Sequence, residues 1–115
     1  MNDTSVRRIV SEARVQKALD FLVTSAAHIG EATERHKNAE NKVKHVEALM
    51  FKMSDATSND KRQADARTSE EWLTAVADEA EALGEVRALY ARREAEAAII
   101  EAWRSEQATY RAMKL

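Results

Sequence analysis

The sequence predicts an all-α protein, a long antiparallel helical hairpin with a short linking helix, assembling as a helical oligomer. Three observations carry that expectation. Apolar residues recur at steps of three and four through the first half, at Val15, Leu19, Leu22, Ala26, Ile29, Thr33, His36, Ala39, Val43, Val46, Met50 and Met53, which is the stripe of one amphipathic helix. The 115 residues include no proline and two glycines, with 33% charged and 44% apolar residues, the bias of a long-helix chain. A single cluster of short polar residues, Ser-Asp-Ala-Thr-Ser-Asn-Asp from Ser54 to Asp60, interrupts the periodicity, so the chain turns once. The length fits one domain over residues 1–115.

The first helix is expected over residues of about 5–53, with Asp3, Thr4 and Ser5 each able to N-cap it. So narrow a stripe needs partner helices. Gly30 lies inside the pattern and costs ~1 kcal/mol relative to alanine, a tolerated exception. Consecutive three-residue steps at Thr33, His36 and Ala39 form a stammer, which predicts local overwinding.

Turn and short helix occupy about 54–67, where Ser58 or Asn59 caps a helical piece over Lys61 to Ala66. Thr68 with Glu71 has the spacing of a capping box and opens the last helix, about 69–113. Its stripe is Val76, Ala80, Leu83, Val86, Tyr90, Ala97, Ile100 and Trp103. Folding at the turn sets Met53 near Ser69, Met50 against Trp72, Leu22 against Ile100 and Leu19 against Trp103, a register in which paired residue numbers add to about 122. Phe21, Leu49, Phe51, Leu73, Leu89 and Ile99 remain beside the seam. That surplus predicts a homo-oligomer. The residues assigned to its packing are Leu19, Leu22, Ile29, Val43, Met50, Trp72, Leu83, Ile100 and Trp103.

With no cysteine, disulfide frameworks and thiolate chemistry are excluded. No apolar run approaches the roughly 20 residues of a membrane span, and residues 1–25 lack a signal peptide's apolar block, so no membrane is expected and the expected location is cytoplasmic. His28, His36 and His45 are eight and nine residues apart, and the residues three before them are Ser25, Thr33 and Lys42. Neither a His pair on adjacent turns nor the Glu-x-x-His motif of di-iron bundles is present. His36 therefore reads as an interface or surface histidine, and no metal or cofactor is expected. The glutamates of the last helix read as a solvated face, and no phosphate loop or nucleophile elbow accompanies them. Neither an enzyme nor a small-molecule substrate is expected.

The net charge of −2 makes no bulk case for nucleic acid, yet its distribution is uneven. Residues 35–67 carry eight Lys/Arg against five Asp/Glu, whereas residues 69–102 carry three against nine. Lys37, Lys42, Lys44, Lys52, Lys61, Arg62 and Arg67 are the DNA-binding candidates, with Arg35 beside them and Phe51 or Trp72 available for base stacking. The competing reading is cross-helix pairing with Glu70, Glu71, Asp78, Glu79, Glu81 and Glu85. A second basic cluster, ranked lower, would gather Arg7, Arg8, Arg14 and Lys17 near Arg104, Arg111 and Lys114.

From Lys61 to Ala112 the chain runs through a Lys-Arg-Gln-Ala-Asp-Ala-Arg helix, Ser69-Glu-Glu-Trp-Leu, Ala82-Leu-Gly-Glu-Val-Arg-Ala-Leu-Tyr90 and Ile100-Glu-Ala-Trp-Arg-Ser105. With the preceding lysine-bearing helix, this layout resembles the UvsY-like recombination mediators and single-stranded-DNA-binding accessory proteins of tailed bacteriophages, over roughly residues 35–113. The resemblance implies an all-helical protomer that forms a ring-like oligomer and binds single-stranded DNA through basic side chains late in the first helix and around the turn. It implies recombinase and single-strand-binding protein as partners, in the cytoplasm of a bacterial host. A helical structural, assembly or adaptor protein acting through protein contacts alone is the alternative.

Overall fold

The computed structural model describes residues 10–114. Three helices, α1 (Glu12–Met53), α2 (Asn59–Thr68) and α3 (Glu70–Lys114), account for nearly all of them, and no strand occurs among the described residues. The chain is all-α, and its two long helices pack against each other. The expected capping residues Asp3, Thr4 and Ser5 lie outside the described residues. Val10 and Ser11 are not helical, so α1 begins at Glu12, later than expected. The local cause is a cap: Ser11 Oγ accepts the Arg14 N–H at 3.1 Å, while the Val10 N–H turns away to Glu106 Oε1 at 2.9 Å.

The turn forms without a positive-φ residue, because side chains tie it down. Ser54 Oγ donates to Asp65 Oδ2 at 2.6 Å and accepts the Ala56 N–H at 3.2 Å. Arg62 Nε donates to the Ala56 carbonyl at 2.8 Å. Ser58 caps α2, its hydroxyl accepting the Lys61 N–H at 3.2 Å, as one of the two expected residues. The capping box does not form. Ser69, not Thr68, starts α3, accepting the Trp72 N–H at 3.2 Å while donating to the Ala66 carbonyl at 2.6 Å. Thr68 remains in α2 and returns its hydroxyl to the Ala64 carbonyl at 2.8 Å, so its oxygen is turned toward the preceding turn.

The chain divides into two compact units, residues 1–28 with 89–115 and residues 29–88. In the first, α1 and α3 run antiparallel: Val10 meets Glu106, Arg14 meets Glu96, and Arg92 lies 4.1 Å over the Phe21 ring. Val10, Val15, Ala18 and Ser25 are buried there. In the second, Arg35 meets Glu85 and His36 meets Glu79, again antiparallel, with Ile29, Ala32, Ala66 and Ala75 buried.

The inward face of α1 is Val15, Ala18, Leu22, Ser25, Ile29, Ala32, His36, Ala39, Val43, Val46 and Met50, all buried or half-buried. Its steps alternate between three and four throughout, a strict heptad. The expected stammer is therefore absent. Thr33 is exposed, as are Leu19 and Ala26, whereas their neighbours Ala32, Ala18 and Ser25 are fully buried. Small side chains at one position of four successive heptads, Ala18, Ser25, Ala32 and Ala39, allow close helix approach, and apolar bulk does not mark them. On α3 the inward line runs through Trp72, Ala75, Glu79, Ala82, Val86, Leu89, Glu96, Ile100 and Trp103, leaving Ala80, Tyr90 and Ala97 outside. Two of its positions are carboxylates, which explains why apolar periodicity places the stripe on the adjacent face.

The register also differs. Among the described residues the cross-helix polar pairs fall short of the expected sum by unequal amounts, Arg35 with Glu85 by about two residues, His36 with Glu79 by about seven, and Arg14 with Glu96 by about twelve. A shift near one heptad, the centre of this spread, preserves the match of apolar layers. Polar pairs are what distinguish the two registers.

Candidate nucleic-acid interface

The seven cations singled out in the sequence separate into two groups. Arg67 Nε pairs with Glu47 Oε1 at 3.3 Å, Lys37 Nζ lies 3.8 Å from Glu40 Oε1, and Arg62 is held by the Ala56 carbonyl with its guanidinium 6.0 Å from the Phe51 ring centre. These three are occupied within the fold. Lys42, Lys44, Lys52 and Lys61 are exposed and make no ion pair. Lys42, however, borders a depression of about 470 Å³ rimmed by Glu70, Glu71 and Asp78, whose carboxylates oppose its charge. Cross-helix pairing with α3 is realised by Arg35 with Glu85.

Lys44 and Lys52 follow the inward positions Val43 and Met50 by one and two residues, so both project away from α3. His45 shares that outward strip with them, and Lys61 projects from α2 near the turn. The aromatic candidates are less available. Phe51 lies under Arg62, and Trp72 is half-buried in the seam with its Nε1 buried and without a hydrogen-bond partner. Of the lower-ranked end cluster, Arg7 and Arg8 lie outside the described residues. Arg14 pairs with Glu96, and Arg104 with Glu101 at 3.1 Å.

No family model, curated protein or solved structure matches this chain. The residues alone carry the functional reading.

Of the residues assigned to oligomer packing, Ile29 is buried within its own chain. Leu22, Val43, Met50, Trp72, Ile100 and Trp103 are half-buried on the intrachain seam. Leu83 is half-buried beside that seam, and Leu19 is 42% exposed. Val23, Leu49, Leu73 and Tyr90 are also exposed. Among the described residues no helix is long and apolar enough to cross a membrane.

Polar groups lie inside the seam: His36, already on the expected stripe, and Glu79 and Glu96, which apolar periodicity missed. Glu96, only 6% exposed, forms ion pairs with Arg14 Nη2 at 2.5 Å and Arg92 Nε at 3.7 Å, without a hydrogen bond to its Oε1. His36 Nε2 is buried 3.6 Å from Glu79 Oε2, within ion-pair reach but without a hydrogen bond.

Proposed function

We propose that this chain is a non-enzymatic accessory protein of bacteriophage DNA recombination that binds single-stranded DNA as a homo-oligomer and assists recombinase loading. The observation that carries the reading is the set of exposed, unpaired lysines at positions 44, 52 and 61, set against neighbouring cations that are already engaged. The layout of residues 35–113 supports the recombination context. A polyanion tracking these lysines neutralises them by displacing counterions, and repetition around an oligomer multiplies a weak contact into a useful one. Recombinase and single-strand-binding protein are the protein partners this role requires.

The second reading, a structural or adaptor protein acting through protein contacts alone, is favoured by the exposed apolar side chains Leu19, Val23, Leu49, Leu73 and Tyr90. Fluorescence anisotropy with a labelled oligonucleotide across a salt series separates the two. Single-strand binding that weakens with salt, by a slope of roughly 0.7 per phosphate contact, supports the first. Lys44→Ala with Lys52→Ala is expected to reduce that slope without loss of helix, since lysine and alanine are both good helix formers. Absence of binding at low salt transfers the function to the second reading.

A further inference from the structure

We infer that His36, Glu40 and Glu79 form a binding site for one divalent transition-metal ion, of which Zn²⁺ is the representative, fastening α1 to α3 within the unit of residues 29–88. His36 and Glu40 stand four residues apart on α1, one turn above each other on the same face. Glu79 approaches from α3. One donor atom from each of the three lies within 4.8 Å of the other two, and all three residues are half-buried. Zn²⁺ takes nitrogen at about 2.0–2.1 Å and carboxylate oxygen at about 2.0–2.2 Å, so tetrahedral ligands lie about 3.4 Å apart. The 3.6 Å between His36 Nε2 and Glu79 Oε2 is close to that edge. Rotation about the flexible side chain of Glu40, held only by Lys37 Nζ at 3.8 Å, closes the two edges that remain, from within 4.8 Å.

Two features favour a cation over a simple ion pair. His36 Nε2 is buried with no hydrogen-bond partner, and a buried nitrogen lone pair is costly to leave unmatched. A second carboxylate, Glu40, is also close, so two acidic side chains converge on this nitrogen with only Lys37 beside them. One nitrogen and two oxygens suit a first-row divalent ion, whereas Mg²⁺ prefers oxygen alone in octahedral geometry. A water would complete the tetrahedron.

The test is calorimetric titration of ZnCl₂ into the full chain after chelator treatment, with far-ultraviolet circular dichroism to verify the fold. One ion per chain is expected, accompanied by a rise in melting temperature. Glu40→Gln is the decisive variant: it leaves His36 and Glu79 in place, keeps a good helix former and retains a similar side-chain volume. Its Zn²⁺ affinity should fall by at least about tenfold, and its melting temperature should no longer respond to the metal. His36→Gln should lose binding likewise, while His28→Ala with His45→Ala should bind as the parent does. Absence of a saturable site below about 100 µM Zn²⁺, wild-type affinity in Glu40→Gln, or stronger binding of Mg²⁺ than of Zn²⁺ would each overturn the assignment.

Discussion

Glu96 occupies an inward position of α3 where apolar periodicity asks for a leucine. Its near-complete burial between Arg14 and Arg92 makes the pair unlike the exposed Arg35–Glu85 bridge. Removing one partner leaves a desolvated carboxylate short of a cation, so Arg14→Ala should destabilise the fold by about 2–3 kcal/mol. Arg35→Ala should cost less than about 1 kcal/mol. Parallel urea denaturations measure both, and equal costs would contradict the difference in burial. Small residues on the seam act through space. Ala32 is fully buried, and Ala32→Leu should cost about 1–3 kcal/mol by overpacking. Thr33→Ala, one position out on the exposed surface, should fall within about 0.5 kcal/mol of wild type.

Among the elements, the junction of α2 and α3 depends on Ser69, whose hydroxyl serves the end of one helix and the start of the next. Ser69→Ala should lower stability by about 1–2 kcal/mol, and Thr68→Ala by much less; thermal melts of the two variants distinguish the observed cap from the capping box suggested by Thr68 and Glu71. Gly30 and Gly84 lie mid-helix, and an added Cβ at either meets nothing within 4 Å. Each Gly→Ala change should stabilise by about 1 kcal/mol. The presence of three helices and one turn was legible because proline is absent and the polar cluster at 54–60 is distinct. Stripe orientation was not, because Ser25, Glu79 and Glu96 carry inward positions that hydrophobicity cannot mark, whereas His36 already lay on the expected stripe. Register was hidden for a related reason: apolar layers repeat every heptad, and only specific polar pairs break that degeneracy. The basic stretch was legible as composition, but which cations are engaged depends on the turn and α2, which bring Arg67 to Glu47 and Arg62 to the Ala56 carbonyl. A search for His–His and Glu-x-x-His spacings likewise passes over His36-x-x-x-Glu40.

For the molecule as a whole, the exposed Leu19, Leu49, Leu73 and Tyr90 lead to an expected assembly. Light scattering should return a mass above the 12.9 kDa of one chain at micromolar concentration, and Leu19→Glu with Leu73→Glu should reduce it while helical content persists. A constant monomer mass across a dilution series would contradict this. Among the described residues, the fully or nearly buried apolar side chains are Val10, Val15, Ile29 and four alanines, Ala18, Ala32, Ala66 and Ala75. Alanine removes little surface from water, so the isolated fold has a modest hydrophobic driving force. On the proposed assembly, stability is a property of the solution as much as of the sequence. The melting midpoint should climb with protein concentration, because each association step covers side chains that a single chain leaves wet. On that assembly, a cell holding few copies would contain a looser, more protease-sensitive protein than one holding many.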